Sequence, residues 1–335
     1  MLHIHNGEST ANTMREFGFP GEHFAFQEVL LAGPTPRGLS REDWRETRAK
    51  YLSEAYDLSF EESRSNLVKQ EAALGRFTDH DETILWFEHD LFCQINLIYL
   101  LDWFAQQPEG KTKLSLICIG EFPGIEDFRG LGQLTGAQMT PLFNARRAIT
   151  DRELEIATRA WGAYCAPDPR GLVRLTAEDT SAMPFLRNAL RLHLERFPSR
   201  RNGLGRVENQ ALELILPGAI TFKSLFPRFA KAEPVYGLGD WQFWNEMERL
   251  VRAGEPLLKI SGLEDGELAI KSSICREASF ELTEAGRAVL ASESDFIELN
   301  GIDLWLGGVH LADGKLWRWD ERSGDLADSS ECRPI

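Results

Sequence analysis

Thr83-Ile84-Leu85-Trp86-Phe87-Glu88-His89-Asp90, running into the apolar stretch Leu91 to Phe104, is the segment on which the fold turns. Its first six residues are β-rich and almost continuously apolar, the pattern of a strand covered on both faces in a parallel sheet. The run after Asp90 carries hydrophobic residues on every side, which predicts a helix buried beneath other layers, with Asp90 as its N-cap. Working outward, Leu2 to His5 predicts a first strand closed by Asn6-Gly7, with Ser9 or Thr10 capping a helix that stops at Gly18. A second strand is expected around His23 to Val29, before the turn Gly33-Pro34-Thr35-Pro36. Ser40 with Asp43 and Ser59 with Glu62 are capping-box patterns that predict two helices between 40 and about 75. Leu114 to Ile119 supplies a further buried strand. This alternation predicts an α/β N-terminal half, with a mostly parallel, Rossmann-like sheet flanked by helices.

The pattern changes after residue 151. An amphipathic helix over Asp151 to Tyr164 and the Pro-rich stretch Ala166 to Gly171 place a domain boundary near here, giving 1–150 as an α/β ligand-binding domain and 151–335 as a mainly helical one. Helical stretches follow at about 183–196, 204–215, 220–230 and 240–253. They precede short β-like pieces such as Phe280-Glu281-Leu282 and Leu316 to Trp319, an order that predicts a winged-helix-like part. At 335 residues the chain exceeds the ~250–300 over which one core grows efficiently, which agrees with two units.

With 43% hydrophobic and 27% charged residues and a mean hydropathy of -0.29, the chain reads as globular and water-soluble. A net charge of -15 disfavours non-specific nucleic-acid coating, so a nucleic-acid partner needs a local basic stripe. Cys93, Cys118, Cys165, Cys275 and Cys332 are scattered and odd in number, which suggests neither a zinc ribbon nor a disulfide framework; reduced thiols in a cytoplasm fit better. The start of the chain leads straight into a strand with no signal-like leader, and Leu91 to Phe104 is too short and too interrupted to span a bilayer. A cytoplasmic protein without a membrane partner is expected, its oligomeric state left open.

Two polar knots, His5-Asn6-Gly7-Glu8-Ser9 and Trp86-Phe87-Glu88-His89-Asp90, put polar and acidic residues where strands give way to helices. The carboxyl ends of sheet strands are where ligands usually bind, so both are expected to face one crevice that takes a small polar molecule such as a nucleotide or phosphoester. His89 is the candidate acid or base, with Glu88 or Asp90 orienting its ring. His5, Glu8, Glu88, His89 and Asp90 also offer metal donors, but no helix carries a His-x-x-x-His pair and no metal or cofactor is assigned. Gly7-Glu8-Ser9-Thr10-Ala11 resembles the Gly-Asp-Ser opening block of a lipase and esterase superfamily; His310 lacks the late Asp-x-x-His spacing, and Ser9 reads better as a helix cap. Gly130-Leu131-Gly132-Gln133-Leu134 is a loop placed to fold over the crevice, with Gln133 a candidate ligand donor. Arg187, Arg191, Arg196, Arg200, Arg201 and Arg206 form a basic cluster that either meets phosphates or an acidic partner, or pairs within the chain. The 240–253 stretch, with Trp241, Phe243, Trp244, Glu246 and Glu248, is a poor base reader and looks built to pack. A regulatory or adaptor protein is therefore the alternative to an enzyme.

His5 to Ser9, Glu28 to Pro34, Leu85 to Phe92, Gly130 to Leu134, Arg201-Asn202-Gly203-Leu204 and Leu282 to Arg287 together resemble the bacterial domain-of-unknown-function 1835 family over most of the chain. The family more often has Asp at the place of Glu8, and tryptophan and aspartate near Phe26 and Glu28. The resemblance implies that Glu28 and Trp86 belong with the crevice residues. It implies no reaction.

Overall fold

A computed structural model describes residues 1–108, 110–262, 276–312 and 316–328. Cys275 and Cys332 lie outside the described residues. In chain order the first half contains β1 (Leu2–Asn6), α1 (Glu8–Glu16), β2 (Glu22–Phe26), α2 (Arg41–Ala55), α3 (Phe60–Gly75), β3 (Glu82–Glu88), α4 (Leu91–Ala105), β4 (Lys113–Ile119), α5 (Gly136–Asn144) and β5 (Arg147–Ala148). Their strands form one sheet in the order β2-β1-β3-β4-β5. The first four are parallel, and the two-residue β5 runs antiparallel along the β4 edge, so the sheet is mixed but mostly parallel.

The register follows side-chain alternation. Ile84 and Trp86 of β3 point to the layer of α1 and α5, where they meet Met14, Leu131 and Met139. Leu85 and Phe87 point the other way, to α4. Every residue of β3 is buried, as its apolar run requires. Along α4 nearly all faces are covered, because α6 (Asp151–Tyr164) and α8 (Leu186–Leu194) close over the side that the sheet leaves free, with α7 (Arg170–Ala177) packed on both of them. A single cluster of buried side chains consequently runs from Leu2 to Leu326, on both sides of residue 150.

The helix caps expected at Ser40, Ser59 and Asp90 are present, each accepting from the backbone N–H three residues on. The cap expected at Ser9 or Thr10 is not. The cap residue of α1 is Gly7 at φ 99°, a conformation open to glycine, so the helix begins two residues early and Ser9 lies inside its first turn.

Further along come α9 (Arg206–Ile215), β6 (Ile220–Thr221), α10 (Phe222–Ala232), α11 (Asp240–Arg252), β7 (Leu258–Ser261) and β8 (Ser279–Leu282), with an antiparallel sheet ordered β6-β8-β7. α12 (Glu284–Leu290), α13 (Phe296–Asn300) and two short antiparallel pairs, β9 (Leu304–Leu306) with β10 (Val309–Leu311) and β11 (Trp317–Asp320) with β12 (Asp325–Asp328), follow. No helix among the described residues is long and apolar enough to cross a membrane.

Candidate functional site

The sheet order reverses between β1 and β3, since β2 lies on one side of β1 and the later strands lie on the other. A crevice opens outside the carboxyl ends of two strands at such a reversal. Asn6 ends β1 and Glu88 ends β3, so the two polar knots are neighbours across this point.

α4 links them. Asn6 Nδ2 donates to Cys93 Sγ (2.8 Å), and Cys93 Sγ donates to Glu88 Oε2 (2.8 Å). The other Glu88 oxygen accepts from the backbone N–H of Leu131 (2.8 Å), which brings the Gly130 loop over the strand end as expected. Asp90 caps α4 by accepting from Cys93 N (2.8 Å). Asn96 Nδ2 donates to both Asn6 Oδ1 (2.8 Å) and Glu28 O (3.0 Å). Gly237, at φ 65°, passes so close that any side chain there would collide with the Asp90 carboxylate; the segment before α11 thus closes the site from the C-terminal side.

Glu88 and Asp90 are 7% and 5% exposed, and no lysine or arginine among the described residues bonds to either. Burial, then the neighbouring Asp90, pushes the Glu88 carboxyl up to about 7, against the weaker lowering by Cys93 and Leu131. Burial likewise raises Asp90. The Cys93 thiol is pushed well above its ordinary value by burial and by both carboxylates, so it stays protonated and acts as a donor. Ligand atoms of Glu88, Asp90 and Cys93 lie within 4.8 Å of one another. This trio could hold a cation only by giving up the thiol proton that now bonds Glu88. Neither His5 nor Glu8 belongs to it.

The remaining expected residues are distributed differently. His89 is half-buried; its ring meets Phe185 edge-on at 6.0 Å, and its Nδ1 is buried without a partner. The ring therefore leans toward the segment before α8 and not onto Glu88. Glu8 and Ser9 are exposed at the rim, with Glu8 paired to Arg15 (2.9 Å) and Ser9 close under Gly132. Gln133 folds back into its own loop, where its side-chain oxygen accepts from Arg129 N (2.6 Å). Glu28 is held by Arg48, whose Nε donates to it at 2.6 Å, and by Val29 N (2.8 Å). Arg48 is 0% exposed and also donates to the carbonyls of Val29, Ala32 and Pro34.

His5 and Trp86 lie beneath the rim in a stack of imidazoles. Trp86 Nε1, which can only donate, gives its proton to His3 Nδ1 (3.1 Å), so His3 must hold its own proton on Nε2, facing Pro20 O (3.1 Å). His23 faces Phe19 O through Nε2 (3.0 Å) and His5 Nε2 through Nδ1 (3.0 Å). That assignment leaves His5 Nδ1 a buried acceptor with no partner. Burial, with a smaller contribution from His23, lowers His3 to about 4; burial also lowers His5 and His23.

Neither a protein-family model nor a curated protein matches the chain. The reading of the site rests on its own geometry. Cys93, Asn96, Arg48 and Gly237 were not singled out from the sequence. Only Cys93 carried a local signal, standing three residues after the cap Asp90, where its backbone N–H meets the capping carboxylate. The others meet the site through contacts between elements distant in sequence.

Proposed function

We propose that the crevice above β1 and β3 binds a small polar ligand, a nucleotide or phosphoester being the class considered first, and that Glu88 exchanges a proton with it. The observation that carries this reading is a pair of buried carboxyls, Glu88 and Asp90, with no lysine or arginine among the described residues bonded to them, at the reversal of a parallel sheet. Perturbed, uncompensated carboxyls cost stability and concentrate where proton transfer is needed. A carboxyl poised near 7 can both give and take a proton at neutral pH. His89, half-buried beside the strand end with its buried Nδ1 unpartnered, is the second side chain we place with the ligand. The 2-1-3-4 order of the parallel strands supports the Rossmann-like reading, and the expectation of a relative of the domain-of-unknown-function 1835 family stands with it as a proposal.

The test is a thermal-shift screen of the full chain over nucleotides, sugar phosphates and divalent cations, comparing the native protein with Glu88→Gln and His89→Ala. A ligand at about 100 times its Kd should stabilise the native chain by ~2.7 kcal/mol. Loss of that response in Glu88→Gln, with folding intact, is the expected result. If every ligand treats Glu88→Gln and the native chain alike, the crevice is not the site.

A second reading, an adaptor, is supported by the succession α9-β6-α10-α11-β7-β8, which is the winged-helix order. α11, in the place of a recognition helix, is already engaged: Gln242 donates to Tyr56 Oη (3.2 Å) and Asn245 to Ala55 O (3.1 Å), while Phe243, Trp244, Met247 and Leu250 are buried. The basic cluster is largely internally bonded as well: Arg191 and Arg206 to Glu195, Arg196 to Glu246, Arg200 to Asp320, and Arg201 to Asn209. These contacts favour a protein partner over nucleic acid, and a salt-titrated gel shift should show no retained complex.

A further inference from the structure

Far from the crevice, the C-terminal half of α4 lines a cavity of about 540 Å³ together with the start of α2 and the end of α6, within the ~300–1,000 Å³ typical of small-molecule sites. From Asp90 to Asp102 along α4 is about 18 Å at roughly 1.5 Å per residue, so this is a separate place. Its walls are aromatic. Trp44 and Tyr99 are parallel within 8°, with ring centroids 6.4 Å apart, and Trp161 stands across both, at 6.0 Å from Trp44 and 5.2 Å from Tyr99. Half-buried Asp102 also lines it, accepting from Gln106 Nε2 (2.7 Å) and bonded to Thr158, with its carboxyl pushed up by burial. A carboxylate has about four lone-pair sites, so acceptor capacity remains. At the edge stand Arg37 and Arg41, both exposed and neither ion-paired among the described residues, although the chain carries a net charge of -15. The loop that carries Arg37 is fixed to the end of α6 by its own backbone N–H on Cys165 O (3.0 Å).

We propose that this cavity binds a nucleoside monophosphate, with its base against half-buried Trp44, a donor-bearing base edge on Asp102 and its phosphate on Arg37 and Arg41. The combination selects the ligand class. Aromatic faces and one carboxylate alone would suit an organic cation, but two unpaired guanidiniums repel one and attract a phosphate. Stacking accepts any base, whereas a carboxylate is best matched by guanine, which offers two donors on one edge. GMP is therefore the probe.

Isothermal titration of the full chain with GMP, guanosine and ribose 5-phosphate tests this. One GMP per chain is expected, with each fragment bound at least about tenfold more weakly, because a charge-assisted hydrogen bond contributes on the order of a tenfold change. Arg37→Ala with Arg41→Ala, both on exposed side chains, should weaken GMP at least about tenfold and leave guanosine unchanged. Asp102→Asn should weaken GMP and leave ribose 5-phosphate unchanged. No heat with GMP at millimolar concentration, or equal GMP affinity in the native chain and the double arginine variant, overturns the proposal. If Glu88→Gln abolishes GMP binding while the double arginine variant keeps it, the nucleotide sits in the crevice, and this cavity is not its site.

Discussion

Glu28 and Glu88 are both buried glutamates near α4, and they are electrostatic opposites. Glu28 receives the Arg48 guanidinium at 2.6 Å and a backbone N–H, so its charge is matched inside the protein. Glu88 receives a thiol and a backbone N–H, and its charged neighbour is another carboxyl. The first arrangement fixes the loop after β2, since Arg48 gathers three carbonyls of that loop as well. The second leaves a carboxyl raised to about 7, its charge unmatched by any lysine or arginine among the described residues. Burial of an acid is thus no mark of function by itself; a buried acid held by its own cation reads as scaffold, and only the unmatched one is a candidate for chemistry. Asn96, bonded to Asn6 and to the Glu28 carbonyl, ties the two regions together, so the matched pair holds the unmatched one in place.

The contrast breaks most directly at Arg48. Arg48→Ala leaves the Glu28 charge and three carbonyls without their donor, and urea denaturation at pH 7 should show a loss of ~3–5 kcal/mol. A loss under about 1 kcal/mol would place Glu28 in the same class as Glu88. The next effect has the opposite sign. Because the folded Glu88 carboxyl lies at about 7, above its ordinary 4.5, its contribution to stability is fully present below about 4.5 and is lost as pH rises through 7. Glu88→Gln should remove that loss, so at pH 8 the variant should be the more stable of the two, with the gap closing as pH falls toward 4.5. The difference between variant and native is the quantity to measure. The imidazole stack runs the other way: His3 is held at about 4, so its contribution is present above 6.5 and fades as pH falls through 4. The smallest effect belongs to Glu8, a third glutamate from the same reading. Its pair with Arg15 is exposed on both sides, and Glu8→Ala should cost no more than ~1 kcal/mol in a thermal melt, less at high salt.

Much of the architecture was legible because its signals are local. The apolar centre of β3, the caps at Ser40, Ser59 and Asp90, and the amphipathic α6 each declare themselves within a few residues. Glu88 and Asp90 were legible for the same reason, as polar residues ending an apolar strand. Gln133 was not: its loop was placed correctly, but a side-chain amide two to four residues from free backbone groups satisfies its own loop first. His5 and Trp86 were displaced by strand alternation, which turns them into the layer beneath the rim, where His3 and His23 complete a stack with no sequence signature.

Sequence by itself determined the central strands, the well-capped helices and the two strand ends where polar residues collect, since periodicity and capping act over one or two turns of chain. Tertiary structure alone decided which buried acid would meet a cation, because Arg48 reaches Glu28 from another helix while no lysine or arginine among the described residues bonds to Glu88. Charge compensation inside a protein depends on distances in space, and those are set only when the layers close.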